Sequence, residues 1–446
     1  MPYDVLIIGG GISGLSAAVE LSSRGASVLL LEQRPHLGGR TYSFKDRKTG
    51  DSVDNGQHLL MGCYHETRRY LEIIDSAHLA ELQKNLRIDF IHAKKGSAAL
   101  KCLALPAPLH VLSGLLRLKT LSFANRLKLL RIGTELLAAS SVKESELASL
   151  TVDQWLEKCG QPEENRKYLW DIIAVGSLND ETSKVSALLF YRVLKAAFLG
   201  NRLNASLLVP RVGLSELLVH PAEEYLKQKG VVIRKGAEVQ KIEGGRDGVM
   251  AVVCNRRREK ARSYISAIPY FALQSVLVDS FKSSPSLARL SRFQSSPIIT
   301  LHLWFDRTVM EQEFVAVLDS TVQWIFNKSA LLGIQRKDQQ LSLVISAASK
   351  IVNLPKERLV RIALNELSEL LPHTREARLV HSLVIKEKRA TFSPVPDVIS
   401  LRPGTRSGIP NLFLAGDWTD TGFPATIEGA VMSGRKAVEE VFSLLR

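Results

Sequence analysis

The stretch YDVLIIGGGISGLSAAVEL, Tyr3 to Leu21, decides how the rest of the chain is read. Tyr3-Asp4-Val5-Leu6-Ile7-Ile8 is an apolar run short enough for a buried strand. Gly9-Gly10-Gly11-Ile12-Ser13-Gly14 follows, and Leu15 to Leu21 continue at helical spacing. This is GxGxxG in the strand–turn–helix setting that gives the motif its meaning. Gly9 allows the tight turn, Gly11 lets a diphosphate approach the backbone, and Gly14 lets the helix pack closely on the strand. The helix start, with Ser13 in its first turn, then faces anionic charge. A second strand, Ser27 to Leu31, ends at Glu32, whose carboxylate is placed to accept hydrogen bonds from ribose hydroxyls. The expectation is a dinucleotide-binding α/β unit at the N-terminus.

The chain has 446 residues, 45% hydrophobic and 23% charged, which suits a globular protein of about three domains' length. No apolar run approaches the roughly 20 residues of a membrane span, and Asp4 ahead of the short Val5–Ile8 run leaves no visible signal peptide. Cys63, Cys102, Cys159 and Cys254 are scattered, form no CxxC, and fit a reducing cytoplasm. No paired Cys/His spacing suggests a metal, and no G-x-S-x-G or Cys/His nucleophile pattern is present. The formal net charge of +14 favours an anionic partner. Without a nucleic-acid fold signature, that points to a membrane surface.

Pro35-His36-Leu37-Gly38-Gly39-Arg40-Thr41 follows the second strand, and a strand near Ile409–Leu414 runs into Ala415-Gly416-Asp417-Trp418-Thr419. Ala425-Thr426-Ile427-Glu428-Gly429 then opens a final helix through Leu445. Pro210-Arg211-Val212-Gly213-Leu214 precedes a helix near 215–228, with strands at 231–234 and 237–242 and a returning strand at 262–269. These segments resemble the flavoprotein superfamily of amine oxidases, protoporphyrinogen oxidases and carotenoid desaturases. The resemblance implies FAD as cofactor. It also implies an α/β fold: a discontinuous Rossmann-like FAD-binding domain (residues 1–90, 205–275 and 400–446) and an inserted α+β substrate domain (91–204 and 276–399). By resemblance, Gly39 and Arg40 lie along the diphosphate and ribityl chain, Val239 pairs with the adenine edge, Gly416 and Asp417 meet the ribityl region, and the backbone at Ile427 faces the pyrimidine end of the flavin.

Thr426 stands where related amine oxidases carry an aromatic wall, so the motif is closer to the desaturase-like branch. VDNGQHLLMGCYHE (Val53 to Glu66), together with Trp418-Thr419, is similar to the squalene-associated members of that branch. The resemblance implies reductive removal of the hydroxyl of hydroxysqualene by hydride from reduced FAD, with squalene and hopanoid supply as the setting. Two alternatives stay open: a phytoene-type desaturase or related oxidase using oxidised FAD, and a non-catalytic flavoprotein at the membrane. Asp54 to His58 would give the flavin a polar edge, Gly56 would let the backbone approach the ring, and Leu59-Leu60-Met61 would begin an apolar wall. His58 and Glu66 are the candidate proton donors. The partner expected is a long apolar isoprenoid, with an electron donor that the sequence does not name.

Between Leu100 and Ser140 six cations, Lys101, Arg117, Lys119, Arg126, Lys128 and Arg131, face the single acid Glu135 among many leucines. Phe123, Leu127, Leu130, Leu136 and Leu137 roughly follow helical spacing. The pattern predicts a basic amphipathic helix near 100–140 that makes peripheral contact with the inner face of the cell membrane. A helix packed on the substrate domain with a solvated basic face has the same periodicity.

Overall fold

A computed structural model describes residues 3–138 and 141–445. The N-terminal run forms strand β1 (Tyr3–Ile8), helix α1 (Ile12–Ser23) and strand β2 (Val28–Glu32). These join a five-stranded parallel sheet in the order Val232–Lys235, β2, β1, Ala261–Ser266, Leu412–Leu414. Parallel strands covered on both faces read as continuous apolar runs. Alternate residues of β1 and β2 accordingly enter two cores. Val5, Ile7, Val28 and Leu30 pack with α1 and the C-terminal helix Ile427–Leu445. Leu6, Ile8, Leu29 and Leu31 pack toward the antiparallel strands Val239–Gly245 and Gly248–Cys254.

A second, seven-stranded sheet has the order Leu379–Phe392, Ser295–Phe305, Gln339–Ile345, Trp324–Asn327, Phe314–Val317, Arg87–His92, Gly96–Lys101. It is antiparallel except where Phe314–Val317 runs parallel to Arg87–His92. Ile299, Leu301 and Leu303 on one face pack against helix Lys356–Leu370. Phe314, Ala316, Phe326 and Val344 on the other face meet the helical region between Leu109 and Phe198. All five parallel strands fall in the three segments assigned to the FAD-binding domain, whereas strand Arg87–His92 crosses the boundary drawn at residue 90 and belongs to the seven-stranded sheet.

Two helical expectations are corrected. The helix near 215–228 is two helices, Leu214–Leu218 and His220–Gln228, because Pro221 has no N–H to continue the first. The single amphipathic helix near 100–140 is three short helices, Leu109–Leu115, Phe123–Lys128 and Leu130–Leu137. Ser122 caps the second by accepting from the Asn125 N–H. Among the described residues no helix is long and apolar enough to cross a membrane.

Candidate functional site

The glycine loop is closed by protein at two glycines and open at the third. Gly9 has φ +105°, and its N–H donates to Leu31 O at 2.8 Å. A Cβ on Gly14 would sit 1.9 Å from Gly9 O, so α1 rests directly on the loop. A Cβ on Gly11 would meet nothing within 4 Å. No side chain caps α1 and no acid lies in its first turn, which leaves its leading N–H groups for an anion. The Gly38–Gly39 turn lies against this opening: Gly38 N–H donates to Gly10 O at 2.8 Å, and a Cβ on Gly39 would stand 3.2 Å from Gly11 Cα.

Glu32 is buried at the end of β2. Its Oε2 accepts from Gly10 N–H at 2.7 Å and its Oε1 from Arg34 N–H at 2.8 Å. These bonds fix the carboxylate beside the loop and leave lone pairs for a ribose. Ala237 N–H donates to Glu32 O at 2.8 Å and brings Val239, half-buried, to the same edge.

The C-terminal motif meets this loop from the other side. Arg40 pairs with Asp417 at 2.7 Å and also donates to Ala390 O. Gly416, at φ +149°, donates its N–H to Ser433 Oγ at 2.8 Å, and that hydroxyl lies 3.3 Å from Ser13 Oγ. Ser13 thus joins α1 to the C-terminal helix. Arg402, buried and unremarked in the sequence, holds the loop after Asp417. It donates to Phe423 O at 2.8 Å, Asp417 O at 3.2 Å, Trp418 O at 3.3 Å and Thr419 O. Burial pulls its guanidinium down to about 10. At the helix start, Thr426 Oγ1 accepts from Gly429 N–H at 3.0 Å and so serves as a cap.

The segment after Val53 is held by a buried ion pair that reaches far along the chain. Asp54 forms a fully buried pair with Lys328 at 2.8 Å, whose ammonium also donates to Gln57 Oε1 at 2.8 Å. Asp54 Oδ1 accepts from Ser43 Oγ at 2.7 Å and Leu214 N–H at 2.9 Å. His302 Nε2 donates to Asp54 O at 3.1 Å, and burial together with Lys328 pushes this imidazole down to about 4, so it is neutral. A Cβ on Gly56 would lie 3.6 Å from His58 Cε1 and 3.7 Å from Thr300 Oγ1, which brings the segment against strand Ser295–Phe305. Leu60 joins the core of the nucleotide-binding half, while Leu59 and Met61 pack toward the helical region.

The two acid–base candidates occupy unlike surroundings. His58 Nδ1 lies 2.7 Å from Gly56 O, so Nδ1 carries the proton and Nε2 is left as an acceptor. Burial lowers its pKa and keeps the ring neutral. Glu66 opens helix α2 (His65–Ile73), and its carboxylate is engaged by Arg435 and lies 4.0 Å from Arg69. The neighbouring Glu428, buried and with its pKa raised by burial, accepts from Thr67 N–H at 2.8 Å, Thr67 Oγ1 at 2.7 Å and Glu66 N–H at 3.0 Å. Glu66 is thus part of the junction between α2 and the C-terminal helix, apart from the His58 segment. Among the described residues no group of three or more His, Cys, Asp or Glu could hold a metal ion.

Sequence reasoning missed Lys328, Arg402 and Glu428. Lys328 gave one signal, a cation closing the buried run Trp324-Ile325-Phe326-Asn327.

Residues 12–442 match the family of flavin containing amine oxidoreductases. The chain is 30% identical to a hydroxysqualene dehydroxylase of Sinorhizobium fredii over 450 aligned residues, covering 99% of each chain. It is 25% identical to a 15-cis-phytoene desaturase of Glycine max, covering 99% of this chain and 79% of that one. Among solved structures, cyclohexylamine oxidase from Brevibacterium oxydans superposes with a TM-score of 0.72 at 18% identity over the full length of both chains. An oxidoreductase from Methanosarcina mazei superposes with a TM-score of 0.74 at 16% identity, covering 98% of this chain and 99% of that one.

Proposed function

The chain belongs to the family of flavin containing amine oxidoreductases, with FAD as its cofactor, and from that premise we propose that it removes the hydroxyl of hydroxysqualene reductively to give squalene. The observation that carries this reading is the end-to-end likeness to the Sinorhizobium fredii dehydroxylase. Thr426 adds to it: a threonine spent on capping a helix offers no aromatic wall for an amine.

The residues present fit FAD. The open face at Gly11, the uncapped start of α1 and the Arg40–Asp417 pair provide room and donors for a diphosphate, and Glu32 with Val239 provide the ribose and adenine edge. When bound and reduced, FAD supplies the hydride. The net change is C–OH plus hydride plus proton to C–H plus water. Gly56 would let the backbone approach the ring, and Ile427 starts a helix whose N-terminus would favour negative charge at the pyrimidine end. His58, neutral and with Nε2 free to accept, orients the substrate hydroxyl. Leu59 and Met61 extend the site toward the apolar helical region, and such walls exclude water from the reacting carbon. A substrate of this kind dissolves in bilayers, which supports a location at the inner face of the cell membrane.

The test is anaerobic. The purified holoenzyme is reduced, hydroxysqualene is added, and the flavin absorbance and products are followed. Reoxidation with stoichiometric squalene is the expected result. Bleaching of oxidised enzyme by phytoene, with no response to hydroxysqualene, would replace this reading with a desaturase. Silence toward both would end the enzymatic reading for polyenes.

A further inference from the structure

The segment that was expected to be one amphipathic helix has two apolar sides. Leu118, Leu121, Leu129, Ile132 and Leu136 are buried in the helical core. The core is therefore served without Phe123, Leu127, Leu130 and Leu137, which stand on the opposite side. Phe123 is 68% exposed and Leu137 63% exposed. Of eleven exposed large hydrophobic residues among those described, seven lie between Leu103 and Leu137. Single exposed leucines need no explanation, but this concentration marks an interaction surface.

The charges around it choose the partner. Arg117, Lys119, Lys128 and Arg131 are exposed, and none is in an ion pair among the described residues. Arg126, counted with them in the sequence, is structural: its guanidinium donates to Leu121 O at 2.9 Å and Leu116 O at 3.1 Å and ties two of the short helices together. A second copy docked face to face would bring these cations against their own equivalents. An anionic leaflet offers them counter-charge and offers the leucines and Phe123 a hydrocarbon boundary.

We propose that the two-helix surface carrying Phe123, Leu127, Leu130 and Leu137, bordered by Arg117, Lys119 and Lys128, docks on an anionic lipid bilayer. The helix break at Leu129 divides these four residues between two short helices. The proposal rests on the inner-face location inferred above only for its setting, since the surface stands whichever isoprenoid the enzyme takes.

The test is vesicle flotation of the full-length, FAD-loaded protein on phosphatidylglycerol–phosphatidylcholine and on pure phosphatidylcholine vesicles. Flavin content and oligomeric state are measured without lipid. Wild type is expected to float with the anionic vesicles and to partition at least tenfold less onto the neutral ones. Phe123→Ser/Leu127→Ser and Arg117→Glu/Lys119→Glu should each cut the anionic partition tenfold or more with flavin content unchanged. The control Met250→Ser, exposed on another surface, should change nothing. Equal flotation of wild type and both variants overturns the proposal. So does a lipid-free dimer that Phe123→Ser/Leu127→Ser dissociates, because the surface would then belong to a second copy. Conversion of detergent-dispersed hydroxysqualene, measured in parallel, reports on the reaction separately: loss of flotation with turnover intact separates the docking surface from the chemistry.

Discussion

Breaking the Asp54–Lys328 pair should destabilise the fold more than any surface substitution, and the two single variants should differ in a set order. Both side chains are 1% exposed, at 2.8 Å, so solvent screening is negligible. Removing one partner of such a pair leaves a buried charge and costs about 3–5 kcal/mol. With about 2.1 cal/mol/K of unfolding entropy per residue, a chain of 446 residues changes by about 0.9 kcal/mol per degree near its midpoint. The single variants should therefore lose about 3–5 °C in Tm. In Lys328→Met, Asp54 keeps its bonds from Ser43 Oγ and Leu214 N–H. In Asp54→Asn, the ammonium keeps only the Gln57 carbonyl as a charge-assisted acceptor. Lys328→Met should sit at the low end of the range and Asp54→Asn at the high end. Asp54→Asn/Lys328→Met removes both charges and should recover about 2–3 kcal/mol relative to the sum of the singles. The assay is calorimetry of the FAD-saturated protein. Additive singles, or losses below about 1 °C, would refute the reasoning. The pH dependence has a definite sign. Burial pushes the Asp54 carboxyl up, but Lys328 and the hydrogen bonds outweigh it and hold the group below the ordinary carboxylate range. Its contribution is present above an unfolded pKa near 4 and is lost as pH falls through the lower folded value. Wild type should lose this increment in acid, and the double variant should not.

The glycine loop provides a matched pair. Gly11→Ala meets open space and should keep its fold and CD spectrum while FAD affinity falls at least tenfold; unchanged affinity would move the diphosphate elsewhere. Gly14→Ala puts a methyl 1.9 Å from Gly9 O and should lower Tm, with an overpacking cost of about 1–3 kcal/mol. Glu32→Ala should reduce flavin content after purification, and full retention would remove the ribose role assigned to that carboxylate. Arg402→Met strips donors from four carbonyls of the Asp417–Phe423 loop. Limited proteolysis there should accelerate and flavin should dissociate faster; a wild-type cleavage rate would show that the loop holds itself.

How much of this was legible depended on how far the determining contact lay along the chain. The first strand, the turn and α1 were readable because Gly9, Gly11 and Gly14 answer to backbone demands made within six residues. Glu32 was readable because it ends a strand of known polarity. The partners of the mixed segment Asp54–Met61 were not, since Lys328 lies 274 residues beyond Asp54. Glu428 likewise caps a helix whose Thr67 lies 361 residues earlier. Periodicity failed differently at residues 100–140: it counts apolar positions but is blind to helix breaks, so Leu136 was grouped with Leu137 although one is buried and the other exposed. In the mixed segment Asp54–Met61, Asp54 and Gln57 face a distant part of the chain, at Lys328. Asp54 and Gln57 spend their charge and amide on Lys328 and so fix the backbone that carries Gly56 and His58 against strand Ser295–Phe305. For a loop where acids and amides alternate with glycine, the physical question is therefore which distant cation satisfies them, because that partner sets what the remaining backbone can offer a ligand.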